Sequence, residues 1–236
     1  MKREAFWSAV VVGLSIVIAG IAVGVGFYKA RASERYVTVK GLAEREVDAD
    51  LAVWPITFKA AVNDLAALQR VIDTGRGTIT AFLLEAGFAE SDISSSAPRV
   101  TDTEAERARG METRSQYRYA ADATVTARTR DVDLVKRTME RSGELVGKGV
   151  ALAAYNWETP TEFLFTSLNE IKPEMIEEAT KDARKAAEKF ARDSGSKMGK
   201  IRRATQGYFS IEDRDRNSPE VKKVRVVTTI DYYLVD

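Results

Sequence analysis

The sequence predicts an α+β protein led by a membrane-spanning segment: an N-terminal transmembrane helix, then mostly antiparallel sheet with three helices in the order ββα-ββα-ββα-ββ. Three observations predict it. Residues 5 to 28 are twenty-four consecutive uncharged positions. Beyond them, stretches alternate polar and apolar residues with period two, as half-buried strands do. Between these lie helical faces of period 3.6, each with an N-cap or a glycine exit.

The apolar segment AFWSAVVVGLSIVIAGIAVGVGFY is fenced by Lys2, Arg3 and Glu4 before it and by Lys29, Arg31 and Arg35 after it. As a helix it would extend about 36 Å, enough to cross a hydrocarbon core of about 30 Å. The segment therefore predicts an anchor over residues 1–30 and a body over 31–236, large enough for one domain or two packed subdomains. Trp7 at one end and Phe27 and Tyr28 at the other fall at the two headgroup levels. Ala9, Gly13, Gly20 and Gly24 share one helix stripe, and Gly20-x-x-x-Gly24 has the spacing that lets two backbones approach in lipid. A cleaved leader is the competing reading, because Ala30-Arg31-Ala32 has the small-x-small form of a cleavage site. The apolar run is long for a leader, and Lys29 and Arg31 sit where a cleavage region is normally uncharged. Lys2 and Arg3 favour a cytoplasmic N-terminus; Arg31 and Arg35 oppose it.

In the body, Tyr36 to Lys40 and Leu51 to Phe58 alternate as strands and read as a hairpin, with Pro55 confining its strand to an edge or a bulge. Asn63 or Asp64 then caps a helix whose face is Leu65, Leu68, Ile72, Gly75, Ile79, Phe82, Leu83 and Ala86, ended by Gly87. Strands follow at 92–101 and 115–129, and Asp131 or Asp133 caps a helix to about Ser142. Further strands at 150–157 and 161–167 precede a third helix starting near Pro173, with Ile176, Ala179, Ala183, Ala186, Ala187 and Phe190 inward and Gly195 closing it. Strands at 200–211 and 221–235 complete the chain. The polar stretches 102–114 and 212–219 read as exposed loops, the first long enough to meet a neighbouring subunit.

Composition narrows the chemistry. Setting aside Lys2, Arg3 and Glu4 leaves 34 basic and 34 acidic residues, so the body lacks the basic excess of a nucleic-acid binder. Cysteine and histidine are both absent, which excludes disulfides, Cys or His zinc ligands, and Ser-His or Cys-His catalytic pairs.

The remaining motifs read as scaffold. Asp73-Thr74-Gly75 matches the aspartic-protease triplet but lies inside a helical periodicity, whereas that chemistry needs an extended turn. Gly147-Lys148-Gly149 lacks the upstream glycine and following hydroxyl of a phosphate loop and reads as a turn. Glu177, Glu178 and Asp182 interleave with Lys181 and Arg184 as on a solvated helix face, not as a hard-metal site. Asp213 and Asp215 sit in a run of mixed charge without apolar surroundings to separate their pKa values. Trp157, in Tyr155-Asn-Trp-Glu-Thr-Pro160, reads as core packing ahead of a ligand or subunit contact. No catalytic residue, cofactor site or metal site is expected.

Several segments together resemble the SIMPL-domain family of bacterial envelope proteins. They are Val37-x-Val39-x-Gly41-x-Ala43 with Val47 and Asp50-x-Ala52, although members commonly carry proline where Ala49 stands; Phe165 to Met175; Ala179-x-x-Asp182-Ala183-Arg184-Lys185-Ala186-x-Glu188 through Gly195, Met198 and Gly199; and Val224-x-Val226 to Tyr232-x-Leu234. The likeness covers residues 36 to 236 in order. It implies a periplasmic or membrane-attached protein of a family linked to stress tolerance, some members of which form ring-like or channel-like homo-oligomers, and it supplies no catalytic residue. With the anchor, the expectation is a non-enzymatic single-pass protein of the bacterial inner membrane, body in the periplasm, whose partners are the lipid bilayer and further copies of itself. The alternative is a monomeric periplasmic binding module or an accessory subunit of another envelope complex.

Overall fold

The computed structural model describes residues 2–32, 35–110, 115–153 and 160–235, and within the first of these segments the side chains of Trp7, Val10 and residues 12–28. Its elements, in chain order, are α1 (Lys2–Ala32), β1 (Tyr36–Asp48), β2 (Leu51–Val62), α2 (Leu65–Ala86), β3 (Ile93–Ser95), β4 (Arg99–Asp102), α3 (Thr103–Ala108), β5 (Tyr119–Thr129), α4 (Val132–Glu140), α5 (Gly143–Gly147), β6 (Glu162–Leu164), α6 (Leu168–Asp193), β7 (Lys197–Gln206), β8 (Ser210–Asp213) and β9 (Val221–Val235). The α+β class holds, with two antiparallel sheets and six α-helices among the described residues; the expected order ββα-ββα-ββα-ββ does not, since α3 stands between β4 and β5, α5 follows α4, and β6 alone precedes α6.

Helix α1 covers the apolar segment. Among the described residues, however, no helix is long and apolar enough to cross a membrane. The membrane-spanning element of the expected fold is therefore not borne out.

The rest divides into two compact units, the first Met1–Arg45, Asn169–Ser210 and Val224–Asp236, the second Glu46–Leu168 and Ile211–Lys223. In the second unit, β2 pairs with β5 along its length, β3 and β4 add to the far side of β5, and β6 pairs with β2 at Leu51–Val53. Alternation sends Trp54, Ile56 and Phe58 inward opposite Ala127, Val125 and Ala123, large residues facing small ones across the ladder. Helix α2 closes this core with Leu68, Ile72, Ile79, Phe82 and Leu83. Its ends are those read from sequence: the Asp64 carboxylate accepts from the Ala67 N–H at 2.7 Å, and Gly87 exits at φ 107°. Asp131, not Asp133, caps α4 by accepting from the Leu134 N–H. Gly75 of the protease-like triplet is buried in α2 because a Cβ there would lie 2.4 Å from the Phe58 ring.

The first unit's sheet has the order β1-β9-β7. Val37, Val39, Ile230 and Tyr232 point from it onto Ala183 and Ala187 of α6. The seam is tight. A Cβ on Gly41 would sit 1.9 Å from the Ala179 carbonyl oxygen and 2.4 Å from the Ala183 nitrogen, so β1 and α6 touch backbone to backbone.

Five expectations are corrected. The β1–β2 hairpin does not form: the strands belong to different sheets, because β1 finds its partner in β9. Pro55 nonetheless lies where β6 no longer covers β2, a local edge. Helix α6 begins at Leu168, so Pro173 is interior, where its missing N–H removes a bond to the Asn169 carbonyl. Its inward face is Met175, Ala179, Ala183, Ala187 and Ala191; Phe190 is 55% exposed and Ala186 is exposed, since the seam admits only small residues. The 102–114 stretch is not all loop: Asp102 caps α3, and buried Thr103 donates to the carbonyls of Tyr117 and Arg118, while 111–114 lie outside the described residues. Of the strand expected at 150–157, the described residues 150–153 form only a bridge between Leu152 and Phe58, and the rest, with Trp157, lies at 154–159, outside the described residues.

Candidate functional site

A cleft of about 700 Å³ opens in the second unit, within the size range of small-molecule and peptide sites. Pro55 and Thr57 of β2 form one wall, Glu162, Phe163 and Leu164 of β6 another, and Asp213, Arg216, Pro219 and Lys222 of the β8–β9 connection a third. Sequence accounts for each wall. Pro55 interrupts pairing on its side of β2, between β6 at Leu51–Val53 and the Leu152–Phe58 bridge, leaving space beyond β6. The β8–β9 connection is held by Arg214 N–H donating to the Val221 carbonyl at 2.8 Å, and by the Asp215 carboxylate accepting from the Asn217 N–H at 2.8 Å.

Lys222 is the least expected residue here. Its side chain is only 9% exposed and its ammonium donates to the Asp213 carboxylate. An ammonium withdrawn from water needs such a partner, so the pair clamps the end of β8 to the start of β9. Nearby, Lys136 donates to Glu220 at 2.5 Å, and this hydrogen bond holds the Glu220 carboxyl below its usual pKa while raising that of Lys136. Asp215 is likewise depressed, first by its bond from Arg214. At the mouth, Glu162 and Arg216 are exposed and carry opposite charge over the apolar Pro55, Phe163 and Leu164. Such a surface can orient a ligand bearing both an apolar part and charged ends.

Beneath β6, the Asp50 carboxylate accepts from the Thr166 N–H at 2.7 Å, the Thr166 hydroxyl at 2.9 Å and the Ser167 N–H at 2.8 Å. Burial works against this carboxylate, but the bonds from Ser167 and Thr166 outweigh it and its pKa is lowered.

The residues singled out from sequence lie elsewhere. Trp7, Phe27 and Tyr28 are 62%, 76% and 77% exposed. A Cβ on Gly13, Gly20 or Gly24 would meet nothing within 4 Å, and the Ala9 side chain lies outside those described. The acidic face of α6 is engaged: Glu177 pairs with Lys181 at 2.5 Å, Glu174 and Glu178 with Arg45 at 2.8 Å each, and Asp182 accepts from the Leu42 N–H. No group of three or more potential metal-ligating side chains occurs among the described residues. Sequence reading missed Lys222, Glu162 and Arg216. One signal existed for Lys222: it is in phase with Val224 and Val226 on a strand, which is the inward phase.

Fold and cleft together define an α+β protein built of two units, each pairing an antiparallel sheet with helices. The chain belongs to the SIMPL family, described as a protein of unknown function (DUF541), whose model matches residues 37–229. No curated protein matches it.

Proposed function

We propose that this is a non-enzymatic, membrane-anchored cell-envelope protein whose body self-assembles into a symmetric homo-oligomer, ring-like or channel-like, with a role in envelope stress tolerance. The observation that carries the anchor is the exposure of α1: Val12, Leu14, Ile16, Val17, Ile18, Ile21, Val23, Val25 and Phe27 are all 49% exposed or more. A helix that is apolar all round belongs in an apolar medium. These nine side chains alone favour insertion by roughly 3–5 kcal/mol. The basic flanks and aromatic ends fit a single pass in the inner membrane with the body in the periplasm. Self-assembly is the family-level expectation, and Gly20 and Gly24, with open space at their Cβ positions, leave α1 a surface on which a second helix can pack.

The test is carbonate washing of membranes followed by light scattering on detergent-purified full-length protein. Retention in the membrane and a single multimeric mass are expected; release into the wash overturns the anchor, and a monomer at micromolar concentration overturns the assembly. The cleft favours a second reading, a binding module or accessory subunit, which a stable monomer would leave standing.

A further inference from the structure

We infer that the end of the first unit's sheet nearest α1 is a basic and aromatic collar that docks on an anionic lipid surface. The inference rests on the reading of α1 as an anchor. At most about 14 Å of chain separates Ala32 from Tyr36, so the start of β1 is held near the end of α1 whatever path the connection takes. Three strand ends meet there. Leu234 N–H donates to the Arg35 carbonyl at 2.8 Å, Lys197 and Met198 pair with Val235 and Leu234, and the Arg35 guanidinium reaches the Ser196 hydroxyl at 3.3 Å.

Strand β7 is one-sided in charge within a body that is otherwise balanced. Strand β7 contains Lys197, Lys200, Arg202 and Arg203 and no acidic residue. Arg203 faces Asp231 across the ladder. Lys200 has no hydrogen-bond or ion-pair partner among the described residues, and Arg202 lies over the Tyr36 ring at 4.1 Å, which brings its guanidinium back to the first residue of β1. Tyr36 is 46% exposed, an amphipathic ring beside the Arg202 guanidinium, the composition that membrane–water interfaces favour. β7 is also an edge strand, exposed along nearly its whole length, so a planar charged surface can approach it without displacing another strand. A headgroup layer bearing negative charge matches this chemistry and lies within reach of the tether.

The test exploits the absence of cysteine. Ser194→Cys, in the exposed turn between α6 and β7, is labelled with an environment-sensitive fluorophore in the full-length chain. The chain is reconstituted into phosphatidylcholine vesicles with and without phosphatidylglycerol, each containing a headgroup-nitroxide quencher. Stronger quenching is expected with phosphatidylglycerol, lost in 0.5 M salt and in Lys200→Gln/Arg202→Gln, and retained in Lys200→Arg/Arg202→Lys. Each charge is worth about fivefold in the docked-to-undocked ratio, so the double variant should lower it roughly 25-fold. Flotation separates the two readings. Equal flotation with both lipids, without phosphatidylglycerol-dependent quenching, overturns the collar and keeps the anchor. Flotation with phosphatidylglycerol alone, reversed by salt, keeps the collar and overturns the anchor. Flotation with neither overturns both.

Discussion

Replacing Gly41 by alanine adds one methyl group where β1 and α6 already touch. The new Cβ would stand 1.9 Å from the Ala179 carbonyl oxygen and 2.4 Å from the Ala183 nitrogen, whereas real Cβ contacts to such atoms are rarely below 3.0 Å. Both clashing groups are helix backbone, so no rotamer change relieves them, and strand and helix must part by more than 1 Å. Ala183 and Ala187, fully buried in this seam, would lose contact with Val37 and Val39. Overpacking usually costs 1–3 kcal/mol, and an immovable neighbour on both sides puts Gly41→Ala near the top, about 3 kcal/mol. For a protein of this size that lowers Tm by roughly 6–12 °C. Gly77→Ala is the control. Its Cβ meets nothing within 4 Å on the exposed side of α2, so the same substitution should stabilise by about 0.5–1 kcal/mol. Thermal unfolding followed by circular dichroism reads both variants. A Gly41→Ala transition within 2 °C of wild type, or equal losses at the two positions, would refute the backbone-contact argument.

Four further outcomes are expected. Tyr232→Phe should leave Tm unchanged or raise it, because the buried Tyr232 hydroxyl has no partner among the described residues and its removal abolishes a desolvation cost of about 1–3 kcal/mol; a clear loss would reveal a bond to that oxygen. Asp50→Asn should cost about 1 kcal/mol at pH 7, the difference between charge-assisted and neutral bonds to Thr166 and Ser167. Because the folded pKa of Asp50 is depressed, its contribution is complete above the unfolded value of about 3.9 and fades as pH falls through the folded one, so denaturant midpoints of the two proteins should converge below about pH 4. Asp213→Ala should destabilise by about 1–3 kcal/mol in urea titration, since it strands the ammonium of Lys222, whereas Lys222→Met should cost less because it removes the charge as well. Phe190→Asp should fall within about 0.5 kcal/mol of wild type, as befits an exposed position; a loss of several kcal/mol would mean the ring is covered.

What the sequence disclosed depended on how local each signal was. Helix α2 was legible from end to end because its cap, its apolar face and its glycine exit all lie between Asp64 and Gly87. Strand β1 was legible as a strand, yet its partner was not. Proximity in sequence suggests β2, while the ladder forms with β9, and nothing within either strand encodes that choice. In α6 the error came from ranking Phe190 above alanine as a core residue. Backbone contact with Gly41 reverses that ranking, and glycine on one element facing an alanine stripe on another is a pattern only the fold joins. Helix α3, six residues long and polar, offers too few turns for periodicity to register. The cleft draws its walls from positions 55, 162 and 213–222, none of which shares a motif with another.

The pairing of β1 with β9 also has a consequence in time. Synthesis produces β1 almost two hundred residues before β9, and β9 lies between β1 and β7 in their sheet. Until the ribosome has delivered that strand, β1 and β7 have no neighbour to pair with, and the alanine face of α6 has no finished surface to cover. The five strands β2 to β6 carry no such debt, since all are encoded between residues 51 and 164 and can pair as soon as they emerge. The first unit's sheet therefore closes after the second's, with the high contact order and slow step that long-range strand pairing imposes. A stop codon after Glu220 would leave the strands β2 to β6 intact and deprive β1 and β7 of the strand that lies between them.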